Sequence, residues 1–543
     1  MNAGPKITTR HKIKIWEGAF ILSIAGLITK LLSAIYRIPF QNIAGDIGFY
    51  IYQQVYPIYG IALIFSTYGF PVVISKMVAE RLEQQDEASA RKILFVAFIV
   101  LLIVGFILFS LLFFKSSTIA VLMGDNDLAL LIKVISFSFL LLPFISILRG
   151  YFQGKRNMKP TAVSQVFEQL VRVLTILAFA YILLKSGFGI YEVGAGAIFG
   201  SITGGIAAIV VLSIFFLRLK GRDKVYSIGS GTIRVREILK VLLGQGITIC
   251  VSSLLLILIQ LVDSFSMYSL LVTSGMDEEV AKLTKGIYDR GQPLIQLGTV
   301  VATSISLAIV PLISSAKMRR DLRFIHNKIN LSIRVSIVVG IGAAVGLACI
   351  IRPTNIMLFQ DQSGSTILML LALSILFTSL TVTVAAILQG LGSPLVSAII
   401  ILAGMVVKGL ANVLLIPTYH AGGAAVSTIL SLFVVAILHL IALRAKVQKP
   451  IITWSILKII IKSTIIMTVI IVSYVSILTV ALSPITQSRG LSTFIALSAV
   501  AIGGCTYLFF IIRGRVFTEN ELMLIPLGNK VNQIVKRKEG VAK

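Results

Sequence analysis

Seven basic residues fall inside long apolar segments of this sequence, and at the centre of a bilayer each would cost about 2.5 to 3.5 kcal/mol. They are Lys30, Arg37, Lys133, Arg172, Arg334, Lys408 and Lys462. Lys133, Arg334 and Lys462 lie near segment ends, from which a long side chain reaches polar headgroups. Lys30 and Arg37 are seven residues apart, which is two turns on one helix face. Their spacing predicts a shared surface that faces a wet cavity.

Two acidic residues in the same segments could neutralise these bases or bind a cation. Glu168 precedes Arg172 by four residues, the favourable order for an ion pair within a helix. Asp263 is the most isolated acid and follows a polar stripe that runs from Gln245 to Gln260. It predicts either a counter-charge to a base across a cavity or a cation-coupling group. Bases outnumber acids in these segments, so we expect an anionic ligand, and a diphosphate would suit the donors of Arg and Lys.

A group of aromatic and amide side chains lies between Tyr50 and Tyr59. Tyrosines at a membrane–water boundary form the usual aromatic belt, and we interpret this group as such a belt. Stacking on sugar rings is the alternative.

The chain around these residues is apolar almost throughout. Of its 543 residues 57% are hydrophobic and 13% are charged, and the mean hydropathy is +0.97. Apolar runs of about twenty residues recur, and only helices satisfy their own backbone hydrogen bonds in lipid. The pattern predicts an all-α integral membrane protein with about fourteen transmembrane helices. They are expected near residues 17–41, 54–76, 93–114, 129–149, 160–184, 191–217, 238–272, 292–315, 331–351, 365–388, 395–415, 422–443, 455–482 and 490–512.

The basic residues between these spans predict the orientation. Of the 49 Lys and Arg residues, 35 lie in loops and tails on one side and 7 on the other. Because basic loops stay in the cytoplasm, both termini are expected there, and we expect the N-terminal segment not to be a cleaved signal. The net charge of +27 does not indicate nucleic-acid binding, because the sequence contains no soluble domain that could carry a basic face.

Two stretches of the sequence repeat one pattern. Gly154 precedes Arg172 by eighteen residues, and Gly390 precedes Lys408 by the same number. The spacing predicts that spans 1–6 are duplicated as spans 7–12 in the same orientation, which is the parallel-repeat arrangement of carriers. The predicted units are an N-lobe at 1–225, a C-lobe at 226–443, and two further helices with a cytoplasmic tail at 444–543.

Several stretches carry a family resemblance. The most specific are Arg149-Gly150-Tyr151-Phe152-Gln153-Gly154 with the residues up to Gln169, Tyr288-Asp289-Arg290, Tyr36-Arg37-Ile38-Pro39-Phe40 and Tyr52-Gln53-Gln54-Val55-Tyr56-Pro57. With these residues the chain resembles the polysaccharide-biosynthesis branch of the multidrug/oligosaccharidyl-lipid/polysaccharide (MOP) exporter superfamily. That branch includes lipid II flippases (MurJ-like) and related Firmicutes proteins (SpoVB-like and YabM-like).

The resemblance implies two lobes around a basic cavity, with the last two helices forming a groove for lipid tails. Lys30 and Arg290 match cavity bases of the flippases, and Arg37 is one residue from a third. To these we add Arg172 and Lys408, which lie inside predicted spans. For Arg290 the alternative is an outer-surface residue paired with its neighbour Asp289. Where those flippases carry a base on the second span this chain has none, so lipid II itself is not specified.

The expected function is that of a flippase or exporter for a lipid-linked anionic sugar, such as a polyprenyl-diphosphate-linked envelope precursor. It would work by alternating access in the cytoplasmic membrane of a Firmicutes bacterium. We expect no catalytic residues, metal or cofactor, and no phosphate-binding ATP motif is present, so coupling to a monovalent cation or to the membrane potential is expected. The expected partners are the lipid-linked sugar, membrane lipids and cell-wall synthesis proteins.

Two other functions remain as alternatives. A cation-coupled drug antiporter of the same superfamily (MATE-like) would need an acidic cavity, for which Asp263 alone is poor support. An enzyme would need an outer loop with a catalytic or metal cluster. The longest outer loop, expected at 273–291, has acids but no histidine. We therefore predict a transporter and not an enzyme.

Overall fold

The computed structural model describes residues 9–218, 232–447, 453–481, 488–518 and 521. The predicted cytoplasmic positions of Asn2 and Lys543 lie outside these ranges. Within them the chain forms twenty α-helices and no β-strand. The helices are α1 (Thr9–Ile35), α2 (Arg37–Ile64), α3 (Phe70–Glu83), α4 (Glu87–Phe114), α5 (Ser116–Leu122), α6 (Ala129–Ser136), α7 (Ser138–Gly154), α8 (Lys159–Lys185), α9 (Ile190–Arg218), α10 (Val235–Ser253), α11 (Leu255–Thr273), α12 (Glu278–Asp289), α13 (Gly291–Gly298), α14 (Val300–Met318), α15 (Leu322–Cys349), α16 (Ile351–Phe359), α17 (Ser365–Gly390), α18 (Pro394–Val447), α19 (Trp454–Ala481) and α20 (Arg489–Arg513).

Eleven helical segments in the described ranges are long and apolar enough to cross a membrane, judged by length and composition. This confirms the predicted class of multi-pass helical membrane protein, while the number fourteen stays a prediction. Two of the eleven contain a sharp break in helical geometry, at Gly45 and at His420.

At Gly45 the chain folds back on itself. The hydroxyl of Tyr36 lies 2.7 Å from that of Tyr52, and the ring of Phe40 packs on Phe49. In both contacts a residue before Gly45 meets one at a similar distance after it. This pattern requires two antiparallel helices joined at the break. Gly45 has a φ of 69°, a left-handed value that a side chain would strain, so glycine is needed here.

Two predicted loops are helical instead. Residues 41–53 fall within α2, and Tyr50 and Tyr52 are buried there. The outer loop predicted at 273–291 contains α12, whose first turn is capped by the Asp277 carboxylate, which accepts from two backbone N–H groups. Charge and polarity in both stretches resembled those of loops, but both are helical and several of their polar side chains are buried inside the protein.

Small residues pack the two halves of the chain in the same way. In α7, Gly154 lies against Val78 of α3, and in α17, Gly390 lies against Ile313 of α14. A methyl group added at either glycine would meet these side chains at 3.0 Å or less. A side chain at Gly154 would therefore force Val78 to shift, and one at Gly390 would press tightly on Ile313. The parallel supports the predicted repeat, whose boundaries stay a prediction.

The last two helices form a layer on α15. The Tyr507 hydroxyl donates to the Val338 carbonyl at 2.9 Å, and Met467 is buried in the same interface. Arg334 of α15 forms an ion pair with Glu521 beyond α20 and does not extend to headgroups as predicted. The layer is therefore tied to the second half of the chain.

Candidate functional site

The fold-back at Gly45 brings tyrosines of α2 against the end of α1 and against α8. Tyr52, Tyr56 and Tyr59 follow at helical spacing and share one face. They surround two arginines, and we call the whole set the arginine–tyrosine cluster: Arg37, Arg172, Tyr36, Tyr52, Tyr56 and Tyr59. All six side chains are buried. The interpretation of these tyrosines as an aromatic belt is therefore wrong, because the reversal turns them inward.

Arg172 is held in this cluster by neutral groups. One terminal nitrogen donates to the hydroxyls of Tyr36 at 3.1 Å and Tyr52 at 3.0 Å. The other donates to the side-chain amide oxygen of Gln169 at 3.4 Å. Its guanidinium stacks 4.2 Å from the centre of the Tyr59 ring, a cation–π contact. None of these partners carries a negative charge that would neutralise the arginine.

Arg37 is still less satisfied. It is fully buried, and its guanidinium lies 4.4 Å from the centre of the Tyr56 ring. None of its three side-chain nitrogens forms a hydrogen bond of good geometry with the described residues, and the neutral Tyr36 hydroxyl is the polar group beside it. A buried charge without hydrogen bonds is costly, so five N–H donors here are available to an anion.

Lys30, which was predicted to share a face with Arg37, lies on α1 and is half-buried. The turn at Tyr36 separates the helices that carry these two bases. Among the residues from Ile21 onward whose side chains the structure describes, none forms a hydrogen bond or an ion pair with Lys30. Lys30 is thus a third base for which the described side chains supply no counter-ion.

The predicted ion pair between Glu168 and Arg172 is wrong. Glu168 binds Arg149 of α7 instead, with 2.7 Å between Oε2 and Nη2. Arg149 is fully buried and also donates to Thr67 in the π-helical turn at Phe65–Gly69. Sequence reasoning placed Arg149 at the boundary between the span predicted at 129–149 and the loop that follows it, and the only signal of its importance was its place at the start of the family stretch that ends at Gly154.

In the second half of the chain, Lys408 and Asp263 form a buried pair with 2.7 Å between Nζ and Oδ1. Asp263 also accepts from the Tyr288 hydroxyl and from the Asn412 amide, each at 2.9 Å. Lys408 donates to Thr428 and is fully buried. Neither charge is left free for a ligand in this structure.

Arg290 does not pair with Asp289, which binds Lys285 at 2.9 Å. The Arg290 guanidinium instead lies between the carboxylates of Asp46 and Asp361. Each carboxylate accepts hydrogen bonds from two of its nitrogens. Arg290 is therefore not a free cavity base in this structure.

Arg290 and Asp46 come from opposite halves of the chain and are joined there by further contacts. The Gln360 amide donates to Asn42 at 2.8 Å, and the Asn42 amide donates to the Leu358 carbonyl at 3.0 Å. We call this set the inter-lobe latch: Asn42, Asp46, Arg290, Leu358, Gln360 and Asp361. Partial burial opposes ionisation of Asp361, but hydrogen bonds from Arg290 and from the Ser363 backbone outweigh it and lower the pKa of Asp361.

The charges thus divide into two kinds. Arg149, Arg290 and Lys408 are neutralised by carboxylates, whereas Arg37 and Arg172 form no ion pair within the described ranges. Those ranges also contain no group of His, Cys, Asp and Glu that could hold a metal. The arginine–tyrosine cluster can therefore bind an anion, and its rings can stack on flat or apolar faces of the same ligand.

Comparison with known proteins gives one family. The profile of the polysaccharide biosynthesis proteins matches residues 15–317. The membrane protein YabM of Bacillus subtilis (strain 168) is 44% identical over 530 residues, which cover 97% of each chain. The lipid II flippase MurJ of the same organism is 28% identical over 440 residues, which cover 77% of this chain and 80% of that protein.

Solved structures show the same fold at low identity. A lipid II flippase MurJ in an inward closed conformation covers 92% of this chain and 98% of its own, with a TM-score of 0.62 and 16% identity. An inward-facing multidrug resistance transporter of the MATE family matches over 79% of this chain and 98% of its own, with a TM-score of 0.63 and 19% identity. These likenesses, together with the sequence relatives, confirm the resemblance inferred from the sequence.

Proposed function

This chain belongs to the polysaccharide biosynthesis protein family of the MOP superfamily, whose members are transporters and not enzymes, and we propose that it moves a lipid-linked anionic sugar across the cytoplasmic membrane. The proposed substrate class is a polyprenyl-diphosphate-linked envelope precursor. Lipid II is one member of this class, and MurJ of Bacillus subtilis is named for it.

The observation that carries the proposal is that the buried guanidinium of Arg37 has no carboxylate partner among the described residues. It forms no hydrogen bond of good geometry with them, and its neighbour Arg172 is held only by neutral groups. Two adjacent cations in a low-dielectric site favour a ligand with more than one negative charge. A diphosphate meets this requirement, and arginine forks match its oxygens.

The aromatic side chains of the cluster suit the sugar end of such a ligand. Tyr56 and Tyr59 are buried beside the arginines. Aromatic faces can pack on sugar rings, and such stacking is the alternative to an aromatic belt for these tyrosines. The arginine–tyrosine cluster thereby combines charge recognition with a stacking surface in one place.

Movement of the headgroup would follow alternating access. The inter-lobe latch joins the halves through Arg290 and Asp46. These contacts must therefore break before the two halves can separate at the latch and release the headgroup there. In secondary transporters built from two repeats, the lobes rock around a central site. We propose that the headgroup crosses near the arginine–tyrosine cluster while the lipid tail stays in the groove beside α19 and α20.

The MATE-like alternative rests on the structural likeness alone. A cationic drug needs an acidic partner that is free to bind it. The two candidate acids are occupied, Glu168 by Arg149 and Asp263 by Lys408. The charge arrangement therefore favours the anionic substrate.

A binding experiment tests the anion directly. Purified protein in lipid nanodiscs would be heated with either polyprenyl diphosphate or the uncharged polyprenol of equal length. We expect the diphosphate to raise the melting temperature and the alcohol to have little effect. Equal stabilisation by both lipids, or by neither, would remove the basis of the proposal.

A further inference from the structure

The ammonium group of Lys408 is enclosed by three oxygen atoms of different kinds. Its Nζ lies 2.7 Å from the Asp263 carboxylate, 3.0 Å from the Ala424 carbonyl and 2.7 Å from the Thr428 hydroxyl. An ammonium has three N–H donors, and each finds one acceptor here. Lys408 is fully buried, and Asp263 is 2% exposed, so bulk solvent does not reach this pair.

The same set of oxygens would suit a bare alkali cation. Carboxylate, carbonyl and hydroxyl oxygens are the ligands that hard cations prefer, and rings of carbonyls coordinate K⁺ in channels. One carboxylate supplies a single negative charge, which matches a monovalent ion. The ammonium of Lys408 thus occupies a position with the charge and the donor atoms of an Na⁺ or K⁺ site.

Further hydrogen bonds hold these oxygens in place. Asn412 donates to the same oxygen of Asp263 that binds Lys408, and the Tyr288 hydroxyl donates to the other oxygen. The Tyr288 and Thr428 hydroxyls lie 2.8 Å apart. Outer groups that orient ligands in this way are typical of ion sites, and they preserve the geometry if the bound cation is exchanged.

We propose that Lys408 is a tethered cation in an alkali-cation site built by Asp263, Ala424 and Thr428. The protein therefore needs no free Na⁺ or K⁺ to fill this site. The inference goes beyond the proposed function, because it does not depend on the transported substrate.

The site is connected to the inter-lobe latch. Tyr288 lies on α12, two residues before Arg290, and α12 packs on the opposite half of the chain where Gly286 meets the backbone of Asp46. A change of charge at Lys408 would alter the hydrogen bonds of Tyr288 and with them the position of α12. The tethered cation thus keeps the latch arrangement independent of salt composition.

Replacing the ammonium while keeping its stem tests this proposal. Methionine matches lysine up to Cε, so Lys408→Met leaves a space the size of an ion beside Asp263. We expect the melting temperature of Lys408→Met to rise by several degrees with NaCl or KCl and to saturate, while N-methylglucamine chloride at equal ionic strength has no such effect. We expect the wild type to respond equally to all three salts.

The double variant Lys408→Met/Asp263→Asn separates ion binding from misfolding. It lacks both charges, so we expect it to fold and to show no preference among the salts. A saturable Na⁺ or K⁺ response in the wild type would overturn the proposal. So would a folded Lys408→Met protein with no cation preference, or a Lys408→Met protein that stays unfolded at high NaCl and KCl while the double variant folds.

Discussion

Glu168 of α8 lies 2.7 Å from Arg149 of α7, so its carboxylate joins two helices and does not neutralise a base on its own helix. Arg172, four residues further along α8, is thereby left to the tyrosine hydroxyls. This division of charge separates a structural ion pair from a cation that is available to a ligand. The proposed function depends on that separation.

Removing the Glu168 charge should destabilise the protein. Glu168→Gln leaves Arg149 buried without a counter-ion, which costs about 3 to 5 kcal/mol for a broken buried pair. We expect a clear fall in melting temperature of the purified protein. In Glu168→Gln/Arg149→Met both charges are gone, and we expect most of the stability to return. A double variant no more stable than Glu168→Gln would argue against an isolated pair.

Replacing Arg37 should weaken ligand binding without loss of folding. Arg37→Ala removes at least one charge-assisted hydrogen bond, worth about 1.5 to 3 kcal/mol, and binding of polyprenyl diphosphate should weaken roughly ten- to a hundredfold. Arg37→Lys should recover part of the affinity, because a point charge lacks the guanidinium fork. Titration in nanodiscs would measure both.

A matched control for Arg37 is Lys133→Ala, which removes an exposed base from another predicted span. We expect this variant to bind like the wild type. If the Lys133 and Arg37 variants lost the same affinity, the effect would come from general charge and the arginine–tyrosine cluster would lose its assigned role.

Locking the inter-lobe latch should stop transport. Asn42 and Gln360 are hydrogen-bonded across the halves, so cysteines at both positions should be joined by a short bifunctional reagent. In a background without native cysteines, we expect cross-linking to abolish transport and cleavage of the linker to restore it. Unchanged transport in the fully cross-linked protein would show that these halves need not separate.

The latch should persist in mild acid. Hydrogen bonds from Arg290 and Ser363 lower the pKa of Asp361, so its contribution to stability is present above the unfolded pKa of about 3.9 and is lost as the pH falls through the folded value. Cross-linking of the Asn42 and Gln360 cysteines should be equal at pH 7 and pH 5. A fall between these pH values that is absent in Asp361→Asn would contradict this assignment.

The membrane class and several buried bases could be predicted from the sequence, because a charge in an apolar run stands out whatever its partner. Arg172 and Lys408 were found in this way. Their specific partners could not be assigned, although a counter-charge was one of the two roles predicted for Asp263, and it pairs with Lys408. Arg290 meets Asp46 across 244 positions, and sequence spacing suggested only the adjacent Asp289.

The tyrosines show a second limit of sequence reasoning. Their composition fits a membrane boundary, and the left-handed turn at Gly45 that brings Tyr52 and Tyr56 inside has no signal in hydropathy. Arg149 was placed at the edge of a loop for a related reason, because its partner Glu168 lies on another helix and hydropathy does not report contacts between helices.

The most direct test of the central claim is to identify the lipid that the protein carries from its native membrane. Wild type, Arg37→Ala and Lys133→Ala would be purified in parallel, and the bound lipids would be identified by mass spectrometry. We expect a polyprenyl-diphosphate-linked sugar with the wild type and Lys133→Ala, and its strong depletion with Arg37→Ala. Equal amounts of such a lipid in all three preparations, or none in the wild type, would contradict it.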